Sequence, residues 1–367
     1  MTPELQTITR TLRELPPDES AVLLTLVATE GSTYRRPGAR MLYLRSGELL
    51  GTISGGCLRE ELAAHARELL QQNLPHRLIS YCSWEVADEV LGLGLGCEGT
   101  YTVFLQRCTA AHPLAQYAPA ILQGEPATLA LVTASDNPSF PVGSTALHFP
   151  RQHTIHGHIS LWTDIVRQHP MKNPSRTSYQ TLESPSLSLY LEHLEPPLTF
   201  HIFGAGEDTR PLVRLAAYMG WLPMVYDFRP ALLTRTRFPH ATRLQLLSLD
   251  EPLPPLQDGA GSTAAVVMSH HLRFDRQVLQ ALLATDIPYI GLLGPRKRTL
   301  RMLEALPPSL RARAESVLFN PVGLDIGAET PEEIALCILA EIRAFHAGRE
   351  GGFLRNRTES IHATSLP

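Results

Sequence analysis

The sequence predicts an α/β protein in two parts: an N-terminal α+β region, then a Rossmann-like, doubly wound parallel sheet. Two observations carry the prediction. The first is the apolar run Leu198 to Phe203, which enters Gly204-Ala205-Gly206. Helical spacing follows at Leu212, Leu215, Ala216 and Met219, and a second run, Met224-Val225-Tyr226, ends in Asp227. Strand, glycine turn, helix, strand and terminal carboxylate in that order make the first half of a Rossmann unit. The second observation is a pair of glycine–cysteine loops upstream, Gly51-Thr52-Ile53-Ser54-Gly55-Gly56-Cys57 and Gly92-Leu93-Gly94-Leu95-Gly96-Cys97, set among shorter strand-like and helix-like segments. Between the two parts the chain breaks at Glu195-Pro196-Pro197.

Composition sets the bounds. A chain of 367 residues with 44% hydrophobic and 19% charged residues is long enough for two or three packed domains. A net charge of −4 and the lack of any long Lys/Arg run argue against a nucleic-acid partner. Neither a signal peptide nor an apolar run of membrane-spanning length is present, so the expected location is the cytoplasm, with no membrane partner. The five cysteines are odd in number and form no CxxC pair, against both a disulfide framework and a structural zinc site.

In order, residues 4–15 carry a helical stripe of Leu5, Ile8, Leu12 and Leu15, and Ala21 to Ala28 reads as a strand. The loop that follows, from Thr29 to Arg40, combines glycines with Arg35, Arg36 and Arg40. Glycine lets a backbone approach a ligand closely, and the arginine fork suits phosphate or carboxylate. A short strand, Met41 to Leu44, and a turn at Ser46-Gly47 lead into the first cysteine loop. Beyond it Leu58, Leu62, Ala66, Leu69 and Leu70 predict a helix, so Cys57 falls at a helix start, where free N–H groups and the dipole favour a thiolate. Taken alone, such a cysteine is more often a small buried residue. Strands at Arg77–Tyr81 and Thr102–Leu105 flank the second glycine–cysteine loop.

The middle of the chain says less. Ala127–Ala134 and Leu187–Leu194 read as strands. His148, His153, His156 and His158 lack a fixed ligand spacing and read as surface histidines. In the C-terminal part, Ala264–Met268 is a buried strand reaching Ser269-His270-His271. Gly291 to Gly294 precedes Arg296-Lys297-Arg298, and Thr330-Pro331-Glu332-Glu333 is a capping box opening the last helix. Asp227, His270 and the glycine turn Gly204–Gly206 fall on the carboxyl edge of the sheet, where open α/β sheets bind ligands. Thr209 stands in place of the third glycine of the fingerprint. Glu207 and Asp208 sit where a pyrophosphate would dock, which weakens the expectation of a nucleotide.

With these motifs in order, the sequence resembles the XdhC/CoxI family, accessory proteins of molybdenum hydroxylases such as xanthine dehydrogenase. The matching residues are Gly31-Ser32 with Arg35, Gly38-Ala39 and Met41, then Gly51 to Cys57, then Gly92 to Cys97 with Gly99. In the C-terminal half they are the Gly-Ala-Gly turn, Asp227 with Arg229, Ser269-His270, Gly291 to Gly294 and the run from Asn320. Family members usually carry Glu two residues after the first cysteine; here Arg59 stands there, with Glu60 and Glu61 beside it. The domains expected are an XdhC/CoxI-type domain over 1–108, its extension over 109–195, a Rossmann-like domain over 196–347 and a mobile tail over 348–367.

What the resemblance implies is a carrier rather than an enzyme, one that binds the molybdenum cofactor as cargo and serves maturation of an apo molybdenum hydroxylase. A cysteine desulfurase and a homodimer are further partners in its scope. On this reading Cys57 contacts molybdenum or its sulfur ligand, with Cys97 second. Ser54, Gly55, Gly56 and Gly96 shape the two loops, and Arg35 and Arg40 are the candidates for the cofactor's phosphate. Gly204, Gly206, Asp227 and His270 are candidates on the Rossmann edge, for cofactor or nucleotide. The alternative from the residues themselves is an NAD(P)-dependent oxidoreductase with His270 as acid or base. It leaves both cysteine loops without a role.

Overall fold

The computed structural model describes residues 1–31, 33–56, 58–82, 99–169, 177–183, 186–256 and 262–358. The chain forms two compact units, Met1–Pro196 and Pro197–Pro367.

The first unit holds two five-stranded antiparallel sheets. Helix α1 (Pro3–Arg13) is capped by Thr2, whose hydroxyl accepts from Leu5 N–H, and it buries Leu5, Ile8 and Leu12. Strands β1 (Ala21–Gly31), β2 (Arg40–Tyr43), β3 (Leu49–Gly51), β4 (His76–Cys82) and β5 (Gly99–Cys108) form the first sheet, in the order β3-β2-β1-β5-β4. Helix α2 (Arg59–Gln71) covers one face through Leu62, Ala66 and Leu69, which pack on Val22, Leu24 and Leu26. The alternate residues Ala21, Leu23 and Val27 face the other way, into a core shared with α1 and with the second sheet. Burial on both faces is why β1 is a nearly unbroken apolar run.

Beyond helix α3 (Pro113–Leu122), the second sheet comprises β6 (Ala127–Ser135), β7 (Thr145–Phe149), β8 (Thr154–Gly157), β9 (Ser178–Glu183) and β10 (Ser186–Leu194), in the order β8-β7-β6-β10-β9. Three histidines of this segment, His148, His156 and His158, pack against separate aromatic rings, while His153 is exposed. His148 stacks on Trp162 and His156 on Tyr117, with centroids 4.4 and 3.7 Å apart.

In the second unit six parallel strands run in the order β13-β12-β11-β14-β15-β16. These are β11 (Thr199–Phe203), β12 (Leu222–Asp227), β13 (Arg243–Leu246), β14 (Thr263–Val267), β15 (Ile290–Leu292) and β16 (Leu318–Phe319). Order and direction are those of a doubly wound Rossmann sheet, as the sequence predicts. Helices α4 (Thr209–Tyr218) and α8 (Pro331–His346) cover the face of Phe200, Ile202 and Val266. Helices α5 (Leu272–Leu283), α6 (Arg296–Glu304) and α7 (Pro308–Val317) cover that of Phe203, Ala265 and Val267. The predicted capping box forms: Thr330 Oγ1 accepts from Glu333 N–H, and Glu333 Oε2 accepts from Thr330 N–H.

Candidate functional site

In the first unit, Glu4 of α1 draws together two of the loops that the sequence singles out. Its Oε2 accepts from Arg35 Nη2 at 2.6 Å, and its Oε1 accepts from the backbone N–H of Thr52, also at 2.6 Å. The arginine loop and the Gly51–Gly56 loop therefore meet on one carboxylate. Inside the second loop, Thr52 Oγ1 donates to Ser54 O, and the buried Ser54 hydroxyl accepts from the N–H groups of Gly56 and Leu58. Gly55 and Gly56 stay exposed. Gly56 has φ +121°, and a side chain added there would meet nothing within 4 Å. The backbone is left-handed, as glycine allows, and open. The ring of Tyr34, 60% exposed, lies beside Gly55, and its backbone N–H donates to Tyr101 Oη.

Arg40 requires a correction. Its side chain is 2% exposed, forms a salt bridge with Glu192 of β10, and donates from Nη1 to Gly38 O at 3.0 Å. A guanidinium buried between a strand of each sheet is an internal strut and cannot also receive a phosphate. Cys57, Gly96 and Cys97 lie outside the described residues.

The Rossmann edge of the second unit is built differently. Gly204, at φ +132°, runs so close to β14 that an added Cβ would stand 2.6 Å from Met268 O. Thr209, buried, donates from Oγ1 to Gly204 O at 2.9 Å, so this departure from the fingerprint braces the turn. Asp227 is fully buried. Its carboxylate accepts from Ala205 N–H and Arg229 N–H, and twice from the Arg229 guanidinium. Burial pushes its pKa up, but the bonds from Arg229 and Ala205 outweigh that and hold it below the usual carboxylate range. Asp208 stands at the N-cap position of α4 with no side-chain capping bond; its carboxylate instead hydrogen-bonds His270 Nε2 at 2.7 Å. Glu207 pairs with Arg210 and Arg237. His270 itself is exposed at φ +60°, while His271 caps α5 by accepting from Phe274 N–H. Behind them Ser269 and Arg298 converge on the buried Asp275.

A dinucleotide does not fit these residues. The carboxylate that should accept the ribose hydroxyls is buried and saturated, and the helix start that should receive the pyrophosphate carries Asp208, tied across the switch point to His270. This arrangement argues against the nucleotide expected at Gly204, Gly206 and Asp227.

Comparison with known proteins gives the chain its relatives. The profile of the XdhC Rossmann domain matches residues 200–342, and that of the XdhC and CoxI family matches residues 16–81. A protein of Bacillus subtilis (strain 168), named as a probable xanthine dehydrogenase subunit, is 34% identical over 334 residues, which cover 89% of this chain and 94% of the relative. The chain belongs to the XdhC and CoxI family. The molybdenum cofactor insertion chaperone PaoD of Escherichia coli (strain K12) is 23% identical over 95% of this chain and 91% of its own. Among solved structures, one described as a xanthine dehydrogenase from Bacillus halodurans superposes with a TM-score of 0.75 at 27% identity, covering 95% of this chain and 97% of that one.

Within this XdhC/CoxI member, Arg59 has a local role that its exposed position conceals. Its guanidinium donates to Gly51 O at 3.0 Å and Leu49 O at 2.7 Å, strapping α2 to β3 just before the glycine loop. Sequence reasoning missed Glu4, Glu192, Tyr34 and Asp275. Glu4 and Glu192 act on partners 48 and 152 residues away, a separation no local pattern records. Tyr34 sits inside the arginine loop and could have been found there as an aromatic beside arginine and glycine.

Proposed function

We propose that this protein is an accessory chaperone that binds the molybdenum cofactor and serves maturation of a hydroxylase of the xanthine dehydrogenase type. One observation carries the reading: Glu4 joins Arg35 to Thr52 N–H, at the start of the loop whose Gly55-Gly56 backbone is exposed, with Tyr34 beside Gly55. A flat ring bearing a phosphate suits an aromatic face, a guanidinium and exposed backbone. Two relatives, one named as a xanthine dehydrogenase subunit and one as a cofactor insertion chaperone, support the same direction. Cys57, next in sequence after Gly56, is the proposed soft contact to molybdenum or its sulfur, with Cys97 second. Arg35 is the proposed phosphate contact, and Ser54 holds the loop from inside.

The proposed partner is the apo-hydroxylase in the cytoplasm; a cysteine desulfurase and a second copy of this chain are further proposals. Among the described residues no helix is long and apolar enough to cross a membrane.

The test is direct. Purified protein and its Cys57→Ala variant are incubated with molybdopterin, and the retained pterin is measured by fluorescence after oxidation. Wild type should retain the pterin at micromolar concentration, and Cys57→Ala should retain at least tenfold less molybdenum-loaded cofactor. No retention by wild type would overturn the reading; full retention by Cys57→Ala would move the contact to another residue.

A further inference from the structure

We propose that Glu4 is the positioning residue of this site, and that the anionic group of the cargo takes Arg35 from it. The proposal rests on the cargo reading above. Its warrant is the division of one carboxylate between two loops: Oε1 holds Thr52 N–H and Oε2 holds Arg35, each at 2.6 Å. The Arg35 and Glu4 side chains are 29% and 23% exposed. Both side chains are partly buried, yet each keeps an edge in contact with water, so an incoming anion can reach the guanidinium and exchange with the carboxylate. Among the described residues Glu4 is the one partner of the Arg35 guanidinium, which leaves most of its fork for a ligand. A phosphate brings up to two charges and three acceptor oxygens against the single carboxylate oxygen that Glu4 has to offer.

On exchange, Arg35 turns from Glu4 to the phosphate, and Glu4 keeps the Gly51–Gly56 loop in place through Thr52. Tyr34, anchored beside that loop by its N–H to Tyr101, presents the flat face for the ring. No covalent step is involved; one ion pair replaces another.

Two substitutions separate the roles of the carboxylate. Glu4→Gln keeps an acceptor for Thr52 N–H and removes the charge that competes for Arg35. Glu4→Ala removes both. Binding of inorganic phosphate and of molybdopterin is measured for each, alone and combined with Arg35→Gln, together with hydrogen exchange at Thr52. Glu4→Gln should bind both probes about two- to five-fold tighter than wild type, the range set by a partly exposed ion pair. That gain should vanish in the Arg35→Gln background, and Thr52 should exchange faster in Glu4→Ala than in Glu4→Gln. Equal exchange in the two variants, or a gain that survives loss of Arg35, would overturn the proposal. If phosphate follows this pattern while wild type binds no molybdopterin, the role of Glu4 stands and the identity of the cargo falls. If neither probe binds Glu4→Gln, the exchange of partners is wrong.

Discussion

Glu192→Gln tests the correction to Arg40. The substitution keeps the size of the side chain and one acceptor oxygen, but it removes the charge facing a guanidinium that is 2% exposed. Among the described residues no replacement carboxylate faces Arg40: Tyr190 is fully buried beside Glu192, and the nearby His112 feels Arg40 as a repelling charge. Leaving one member of a buried ion pair uncompensated costs about 3–5 kcal/mol. For a unit of this size, each kcal/mol lowers the melting temperature by about 2–4 °C, so a fall of about 6–20 °C is expected. Removing both charges, as Arg40→Met with Glu192→Leu, also removes the cost of desolvating them. The double variant should recover to within about 2 kcal/mol of wild type.

Urea denaturation gives the free energies, and hydrogen exchange in β2 and β10 shows whether the loss is local to the pair. If Glu192→Gln and Arg40→Met each lie within about 1 kcal/mol of wild type, the pair is hydrated, as exposed pairs are. Arg40 would then return as a candidate for the phosphate.

Other predictions follow from the same structure. His112 and His201 have their pKa pushed down to about 4, both by burial and His112 also by Arg40. Unfolding restores them to about 6.5. Stability should therefore be full above pH 6.5 and should decline toward pH 4 by about 1.4 kcal/mol per pH unit for each histidine. His112→Asn, which retains an acceptor for Leu114 N–H, should flatten that slope by one histidine's share, and an unchanged slope in urea titrations would sink the assignment. Gly204→Ala drives a Cβ to 2.6 Å from Met268 O at a positive φ and should destabilise the second unit by at least about 2 kcal/mol, measured by thermal melting. Titration of wild type with NAD and NADH should give no saturable heat below about 1 mM, a limit of roughly 4 kcal/mol of binding; a micromolar isotherm would refute the reading of Asp208 and Asp227.

How much of this was legible in the sequence differs between the two units. The Rossmann sheet follows from Leu198 to Asp227, because buried parallel strands are continuous apolar runs and the glycine turn between strand and helix is local. In the second sheet of the N-terminal unit the signal is weaker. β7 and β8 are only five and four residues long, and their histidines stack on Trp162 and Tyr117 rather than alternating cleanly with apolar residues. For the candidate site, glycine and arginine positions were visible, since loop backbone and fork chemistry are written locally. Which arginine can exchange its partner was not. Arg35 and Arg40 look alike in the sequence; only the approach of Glu4 and Glu192, from a distant helix and a distant strand, separates an exchangeable pair from a buried strut.

On the proposed cargo reading, the contrast between the two glycine turns favours one place to seek the cargo. At Gly204 the turn is closed by its own chain: Met268 O crowds it, Thr209 bonds its carbonyl, Asp227 takes the N–H of Ala205, and Asp208 meets His270 in front. A ligand would have to break several charge-assisted hydrogen bonds, each worth about 1.5–3 kcal/mol, before making any of its own. At Gly55-Gly56 the inward groups are satisfied by Ser54 while the outward backbone is exposed, and the adjoining charge pair is partly exposed. Among the described residues, an anion arriving there meets the Arg35–Glu4 ion pair, one contact against the several that close Gly204. A carrier that must both accept and release its cargo works best where exchange is that inexpensive, which favours the N-terminal loops over the Rossmann edge.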